Sequence, residues 1–227
     1  MNRVVDNRKQ YCQRHGYEFI NANALIDHSR PVAWSKLIAV EKTLQQCDYV
    51  VYVDMDVIIM RPEIPLQAFI NHAPPYADFI MSNDWSGPNT GVWIARKSVF
   101  STWFLKTAFE QKQLLLPYAS NGYKHPFEYE QRAFHYLMNT KLWRTRHLPR
   151  YNGEFADEVA SHFYLYPQCA FNSYIVHPFE FRANRQISQV ILVSLIRIDC
   201  EIHVFCSMYP VTLLSTSQGR RAKSSRI

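Results

Sequence analysis

The stretch that decides the fold is "DYVVYVDMDVIIM", residues 48–60, in which an apolar run ends in two aspartates. The run from Tyr49 to Val53 is entirely β-branched or aromatic, which predicts a strand buried on both faces. Asp54 and Asp56 follow it directly. If the chain stays extended there, residues two apart point to the same side, so both carboxylates would face one point.

Two carboxylates at that position are suited to a divalent cation. They repel each other when bare, and a hard cation such as Mn²⁺ or Mg²⁺ removes that cost. The carboxyl end of a central strand is also where open α/β sheets bind ligands, which would fit a metal-bound nucleotide diphosphate. The alternative is structural: Asp54 and Asp56 would cap a helix or face solvent.

The flanking sequence predicts helices that alternate with strands. The first segment is a polar helix ended by Gly16, and helical spacing recurs in "VAWSKLIAVEKTL" (32–44), "FSTWFLKTAFEQ" (100–111) and "EYEQRAFHYLMN" (128–139). Short strands are predicted at "DFIMSND" (78–84) and "GVWIAR" (91–96), joined by a turn. This order predicts an α/β fold with helices on both faces of the sheet.

Composition excludes several classes of function. The net charge is +6, but four basic residues lie within the last ten, and without them 21 basic residues face 19 acidic ones. That balance argues against a nucleic-acid groove. The five cysteines show no C-x-x-C spacing, so a zinc site is not predicted, although one or two disulfides could form. There is neither a signal-peptide pattern nor a run of 18 apolar residues, so any membrane anchor is expected outside this chain.

Five motifs occur in an order that resembles glycosyltransferase family 34, the retaining galactosyl, mannosyl and xylosyltransferases of GT-A fold. They are "WSKLIAV" (34–40), "DYVVYVDMDVII" (48–59), "NDWSGPNTGVWIAR" (83–96), "YEQRAF" (129–134) and "FNSY" (171–174). The resemblance implies transfer of a hexose or pentose from a UDP- or GDP-sugar to a glycan hydroxyl. It also implies Mn²⁺ or Mg²⁺, a Golgi membrane location and possible partner glycosyltransferases.

The resemblance assigns roles to the two aspartates and to one lysine. Asp54 would contact the metal and the donor sugar or ribose, and Asp56 would hold the metal. Lys36, one turn after Pro31, would reach the donor phosphates; from its sequence context alone it reads as an ordinary exposed lysine.

The same resemblance assigns the donor sugar to two further segments. Asp84, Asn89 and Thr90 would line the sugar site, whereas the structural alternative is a turn capped by its own polar side chains. Glu130 and Gln131 would face the sugar, although polar residues on such a helix are usually solvated. A neutral Gln131 amide cannot act as a general base, which suits retention better than inversion.

The two ends depart from the family pattern. The chain opens in a helix, so residues 1–189 are predicted to form a GT-A domain that lacks the first nucleotide-binding strand. Residues 190–227 are predicted to be a divergent segment, poorly packed on the sheet, with a basic tail. In it only His203 could serve as a third metal ligand. These departures favour an alternative function, a catalytically impaired scaffold that binds a glycan or a partner subunit.

Overall fold

A computed structural model of the chain describes residues 2–84, 87–111, 114, 130–140, 150–171 and 194–198. Its helices are α1 (Asn2–His15), α2 (Ser35–Leu44), α3 (Leu66–His72), α4 (Val99–Glu110) and α5 (Gln131–Leu137). Its strands are β1 (Glu18–Asn21), β2 (Tyr49–Val53), β3 (Phe79–Asp84), β4 (Gly87–Arg96), β5 (Phe163–Tyr166) and β6 (Ser194–Ile198). The four predicted helices are therefore confirmed, and Gly16, at φ 70°, ends α1 as expected.

The six strands form one mixed sheet in the order β1-β6-β2-β4-β3-β5. Strand β4 runs antiparallel to both β2 and β3, while β3 and β5 are parallel. Because β4 lies between β2 and β3 and runs the other way, the carboxyl ends of β2 and β3 and the start of β4 share one edge. We call it the site edge, and the opposite end, where β3 begins and β4 ends, the far edge.

Helices cover both faces of this sheet, as the α/β prediction and the GT-A resemblance required. In β2, Val50 and Tyr52 join a core with α2, α4 and α5, whereas Val51 and Val53 join a second core with α1 and α3. Val50, Val51 and Val53 are at most 3% exposed. The prediction of a strand buried on both faces is confirmed, because its side chains alternate between two apolar layers.

The hairpin between β3 and β4 differs from the sequence prediction. The predicted turn at residues 85–90 is too long, because β4 already begins at Gly87 and pairs with Asp84. The pairing register then jumps: Ser82 faces Asn89 but Met81 faces Trp93. Residues 90–92 thus bulge out of the β3 ladder, a distortion that redirects side chains.

The expectation of poor packing from residue 190 onward is wrong for residues 194–198. The backbone of β6 pairs with β1 on one side and with β2 on the other. A strand inserted between two others is held by two ladders of hydrogen bonds. The remainder of residues 190–227 lies outside the described residues, and the division at residue 189 stays a prediction.

Two findings concern the membrane and the cysteines. No helix in the described ranges is long and apolar enough to cross a bilayer. Cys12 and Cys169 are free thiols. Cys12 and Cys47 are both buried. Cys200 and Cys206 lie outside the described residues, so the expectation of one or two disulfides stays a prediction.

Candidate donor-binding site

The two aspartates that open the site lie in a β-turn, not in an extended segment. Strand β2 ends at Val53, and the Val57 N–H donates to the Asp54 carbonyl at 3.1 Å. That bond closes the turn Asp54–Val57, which we call the D-x-D turn. The extended geometry assumed from the sequence was therefore wrong. Aspartate is favoured at the first position of β-turns, so a signal for this turn was available at Asp54.

Asp54 is oriented by neighbours on one of its two oxygens. Oδ1 accepts the Tyr52 hydroxyl at 2.5 Å and the Lys36 ammonium at 3.1 Å. Its side chain is 37% exposed, and Oδ2 makes no hydrogen bond with the described part of the chain. Burial raises the pKa of Tyr52. The Lys36 ammonium acts to lower it and the Asp54 carboxylate to raise it, and the net shift is upward. The phenol therefore stays protonated and donates, which leaves Oδ2 as the oxygen directed outward.

Lys36 is buried, which rules out the ordinary exposed lysine. Its Nζ lies 2.7 Å from Glu130 Oε1, 3.1 Å from Asp54 Oδ1 and 3.2 Å from the Thr90 carbonyl. Burial acts to lower the pKa of Lys36, but Glu130, Tyr52 and Asp54 outweigh it, and the net shift is upward. An ammonium has three protons to donate, and these three acceptors account for them. Its expected contact with donor phosphates stays a prediction.

Thr90 connects the bulge in β4 to helix α5. Its hydroxyl lies 2.8 Å from Glu130 Oε1 and 3.2 Å from Gln131 Oε1. The Thr90 N–H also donates to Gln131 Oε1, at 3.3 Å. The bulge thus brings Thr90, Glu130 and Gln131 together although they are 40 and 41 positions apart in sequence.

Glu130 combines deep burial with one unused oxygen. It is 2% exposed, which contradicts the solvated alternative for this position. Oε1 faces Lys36 and Thr90, whereas Oε2 is buried with no hydrogen-bond partner among the described residues. A buried unpartnered carboxylate oxygen costs free energy unless a ligand or water satisfies it. This oxygen is therefore a place where a hydroxyl could bind.

Asp84 and Asn89 form a second group at the same edge. The Asn89 amide donates to Asp84 Oδ2 at 2.8 Å, and its carbonyl accepts the Gly91 N–H at 2.8 Å. Gly91 is a close-approach position: a Cβ there would lie 2.9 Å from Asn89 Oδ1 and 3.2 Å from Asp54 Oδ2. Only glycine fits between these two oxygens without displacing them.

Asp56 is exposed and makes no hydrogen bond or ion pair with the described residues. Within those residues, no group of three or more histidine, cysteine, aspartate or glutamate side chains could hold a metal. His203 lies outside the described residues. His135 is buried, and its Nε2 lies 3.2 Å from the Pro88 carbonyl.

Sequence reasoning missed two contributors to the site. Tyr52 reads as an ordinary strand aromatic, and only the fold shows its hydroxyl on Asp54. Arg8 reads as a polar residue of a surface helix, yet its buried guanidinium binds the backbone of the D-x-D turn. Neither contact has a local sequence signature, although an arginine followed by apolar residues at helical spacing could have marked the inward face of α1.

Comparisons with known proteins agree with the resemblance. Residues 1–74 match the model of the galactosyl transferase GMA12/MNN10 family. The galactomannan galactosyltransferase 1 of Cyamopsis tetragonoloba is 26% identical over 112 residues, which are 45% of this chain and 26% of that protein. The alignment therefore spans about a quarter of the relative's length. Lys36, Asp54 and Asp56 lie inside the family match, while Thr90 and Glu130 lie beyond it.

The family match covers α1, α2, β2 and the D-x-D turn, and the sheet with helices on both faces is consistent with a GT-A fold. Together with the galactosyltransferase relative, these findings support membership of the chain in glycosyltransferase family 34.

Proposed function

We propose that this chain is a metal-dependent retaining glycosyltransferase, which transfers a hexose or pentose from a nucleotide sugar to a glycan hydroxyl. The observation that supports it most is the convergence at the site edge. Lys36, from the family-matched part, binds Asp54 from the same part and also binds Thr90 and Glu130, which lie outside it. Four segments of the chain thus supply polar groups to one place, as a donor site needs.

The residues present fit a divalent cation in part. Asp56 is exposed and unengaged, and Asp54 has one oxygen directed outward, so two hard oxygen ligands are available. Mn²⁺ or Mg²⁺ usually keeps several positions for water and for phosphate oxygens, which two carboxylates would leave open. His203 remains the proposed third ligand. When bound, the cation would neutralise charge that develops on the departing diphosphate.

The chain's own residues would fix the donor and exclude alternative geometries. Lys36 neutralises part of the charge of Asp54 and Glu130, so two carboxylates can stand at one edge without a large repulsion. Tyr52 holds Asp54 in one orientation. Glu130 Oε2, buried and without a partner in the described residues, would accept a hydroxyl of the donor sugar. Asp84 and Asn89 would bind further hydroxyls.

Gln131 distinguishes retention from inversion in this proposal. Its Oε1 accepts the Thr90 N–H at 3.3 Å, while the single proton of the Thr90 hydroxyl goes to the nearer Glu130 Oε1. An amide cannot take a proton from an acceptor hydroxyl at neutral pH, so it would not serve as the base of an inverting mechanism. Instead it would position the sugar while the leaving diphosphate assists attack from the same face.

The test is calorimetry with UDP and with GDP, each in MnCl₂ and in EDTA, followed by a sugar-transfer assay. We expect one nucleotide to bind in Mn²⁺ and to lose most of its affinity in EDTA. Asp56→Ala should abolish the Mn²⁺-dependent part while leaving the fold unchanged, because an exposed carboxylate supports no packing. Equal affinity in Mn²⁺ and EDTA would refute the metal assignment.

The transfer assay separates the enzyme from the scaffold. Nucleotide binding followed by turnover supports the proposal. Nucleotide or glycan binding without sugar transfer would support the catalytically impaired scaffold instead. Gln131→Ala should lower turnover more than nucleotide affinity, because its proposed contact is with the reacting sugar and not with the nucleotide.

A further inference from the structure

Side chains of helix α1 contact backbone atoms of the D-x-D turn and of the segment that follows it. Four of its side chains contact main-chain groups between residues 53 and 64, which lie 45 to 53 positions away in sequence. They are Asn7, Arg8, Tyr11 and His15, with partners Ile59, the D-x-D turn, Ile64 and Pro62. Because these contacts are made to main-chain atoms, they constrain the backbone of residues 53–64 independently of the side chains there.

Arg8 makes the most of these contacts. Its guanidinium donates to the carbonyls of Val53, Asp54 and Val57, the first at 3.4 Å and the last at 3.0 Å. The Asp54 carbonyl is also the one that closes the D-x-D turn. A planar fork of donors can bind converging carbonyls that a single ammonium would not satisfy together.

The burial of Arg8 is costly, which argues that its contacts serve a purpose. The residue is 0% exposed and forms no ion pair with a carboxylate of the described residues. Burial lowers the pKa of Arg8, while Tyr52, Asp54 and Asp56 act in the opposite direction. A buried charge held only by carbonyls is less favourable than a well-packed apolar side chain would be, unless the carbonyls need the donors.

Asn7 fixes the other end of the same segment. Its side-chain amide donates to the Ile59 carbonyl at 3.1 Å and accepts the Ile59 N–H at 2.8 Å. This pair of bonds imitates one rung of a β-ladder and leaves little freedom at Ile59. The turn with its two carboxylates is therefore held at its start by Arg8 and just beyond its end by Asn7.

We infer that Arg8 and Asn7 are positioning residues, which set the relative placement of Asp54 and Asp56 through the turn backbone without touching the ligand. This rests on the proposed function in one respect, since it assumes that the turn binds the metal. The guanidinium acts through the backbone carbonyls of Val53, Asp54 and Val57, which lie before, at the start and at the end of the turn.

The test compares Arg8→Met and Arg8→Lys with Arg3→Met, a control on the same helix in which an exposed arginine is lost. UDP binding is titrated in MnCl₂ and in EDTA, below the temperature at which circular dichroism of any variant changes. We expect Arg8→Met to weaken the Mn²⁺-dependent part of binding at least tenfold. Arg8→Lys retains the charge but not the planar guanidinium, so its Mn²⁺-dependent affinity should lie between those of Arg8→Met and wild type. The affinity of Arg3→Met should equal that of wild type.

A role in packing alone would lower the melting temperature and leave the Mn²⁺ dependence unchanged. Mn²⁺-dependent affinity of Arg8→Met within twofold of wild type would therefore overturn the inference. If Arg8→Met does not fold, Arg8→Lys decides by the same criterion, because it keeps the charge and most of the side-chain volume.

Hydrogen exchange separates failure of this inference from failure of the proposed function. If wild type shows no Mn²⁺-dependent UDP or GDP binding, the proposed function fails, and the positioning role is judged from the amides of the turn. Arg8→Lys should then speed exchange of the Val57 N–H, and Asn7→Leu that of the Ile59 N–H, each at least tenfold. Unchanged exchange at both amides would contradict the inference independently of any ligand.

Discussion

The site edge and the far edge of the sheet each bury a cluster of charged side chains, but their composition is opposite. At the far edge, one carboxylate binds a guanidinium and an imidazole: Asp78 Oδ1 accepts from Arg96 at 2.9 Å, and Oδ2 lies 2.7 Å from His162 Nδ1. At the site edge, one cation, Lys36, serves two carboxylates, Asp54 and Glu130. Both oxygens of Asp78 are engaged.

The difference teaches how a structural cluster differs from a binding site. Asp78 is 3% exposed and both of its oxygens have partners, so the far edge needs nothing more. Glu130 is 2% exposed, yet Oε2 has no partner in the described residues, and Asp54 directs Oδ2 outward. Acceptor oxygens that have no partner in the described residues favour a ligand that brings positive charge and hydroxyl groups. A metal-bound nucleotide sugar brings both.

The largest expected effect is on stability, from Lys36→Met. Removing the Lys36 ammonium leaves the buried Glu130 carboxylate without its ion-pair partner, which we expect to cost about 3 kcal/mol in the free energy of unfolding. Loss of the contact with Asp54 adds less to this destabilisation, because the Asp54 side chain is 37% exposed and partly solvated. Urea unfolding measures the loss. The double variant Lys36→Met with Glu130→Gln should recover most of it, and failure to recover would show that Lys36 acts through packing.

The next prediction contrasts Glu130→Gln with Asp78→Asn, the same chemical change at the two edges. Asp78→Asn should cost about 1–3 kcal/mol in the free energy of unfolding, since it weakens two charge-assisted contacts, and it should leave nucleotide binding unchanged. Glu130→Gln should lower the free energy of unfolding less than Asp78→Asn, because Lys36 still binds Asp54 and the Thr90 carbonyl. It should nevertheless lower the rate of sugar transfer at least tenfold.

Urea unfolding and the transfer assay together provide the measurements for this pair. The distinction between a structural far edge and a functional site edge is contradicted if Asp78→Asn lowers nucleotide affinity, or if Glu130→Gln has the turnover of wild type. Either result would mean that unsatisfied oxygens do not mark the functional cluster.

A smaller effect is expected from Gly91→Ala. The added methyl would meet Asn89 Oδ1 and Asp54 Oδ2, both at the ends of side chains that can shift, so stability should fall by only about 1 kcal/mol. Mn²⁺-dependent nucleotide affinity should fall several-fold, because the shift moves a proposed ligand. Gly16→Ala is the matched control. Gly16 has φ 70°, so an alanine there is strained and lowers stability, but the residue lies away from the site edge. Equal affinities for the two variants would contradict the placement of Gly91.

The sequence predicts the fold better than it predicts the site. The two-layer burial of β2 and the apolar face of α4 follow from patterns within ten or so residues, which local periodicity encodes. The D-x-D turn was mistaken for extended chain because nothing in "VDMDV" separates the two conformations except a weak preference of aspartate. The turn backbone is contacted by Arg8, 46 positions before Asp54, and no local pattern encodes that contact.

The charge network at the site edge is a second case that local patterns do not encode. Only the family resemblance predicts that Lys36, Thr90 and Glu130 act at the donor site. Local context alone suggests solvated residues for Lys36 and Glu130 and a structural turn for Thr90. The β4 bulge and the register of α5 bring them together, and both depend on tertiary packing. The position of β6 between β1 and β2 was missed for the same reason, since pairing partners distant in sequence leave no periodic signal.

The last expected effect is the pH dependence of stability, to which Cys12 of the second core should contribute at lower pH than the groups of the site edge. Burial raises the pKa of the Cys12 thiol from 9.0 to about 11, against the nearby Arg8 charge. The folded state therefore binds more protons than the unfolded state between pH 9 and 11, and stability must fall as pH rises through that window. Cys12→Ala should flatten this fall, measured by urea unfolding at pH 8, 9.5 and 11.

Thiol reactivity checks the same assignment at a single pH. At pH 8 Cys12 should react with a thiol reagent far more slowly than the exposed Cys169, because a buried thiol with a raised pKa forms little thiolate. The site edge contributes mainly toward the upper end of this window, because the pKa values of Lys36 and Tyr52 are shifted upward from 10.5 and 10.0, so their unfolded forms lose protons first. A stability loss between pH 8 and 9.5 that disappears in Lys36→Met but not in Cys12→Ala would reverse the assignment. It would place the pH-sensitive group at the site edge.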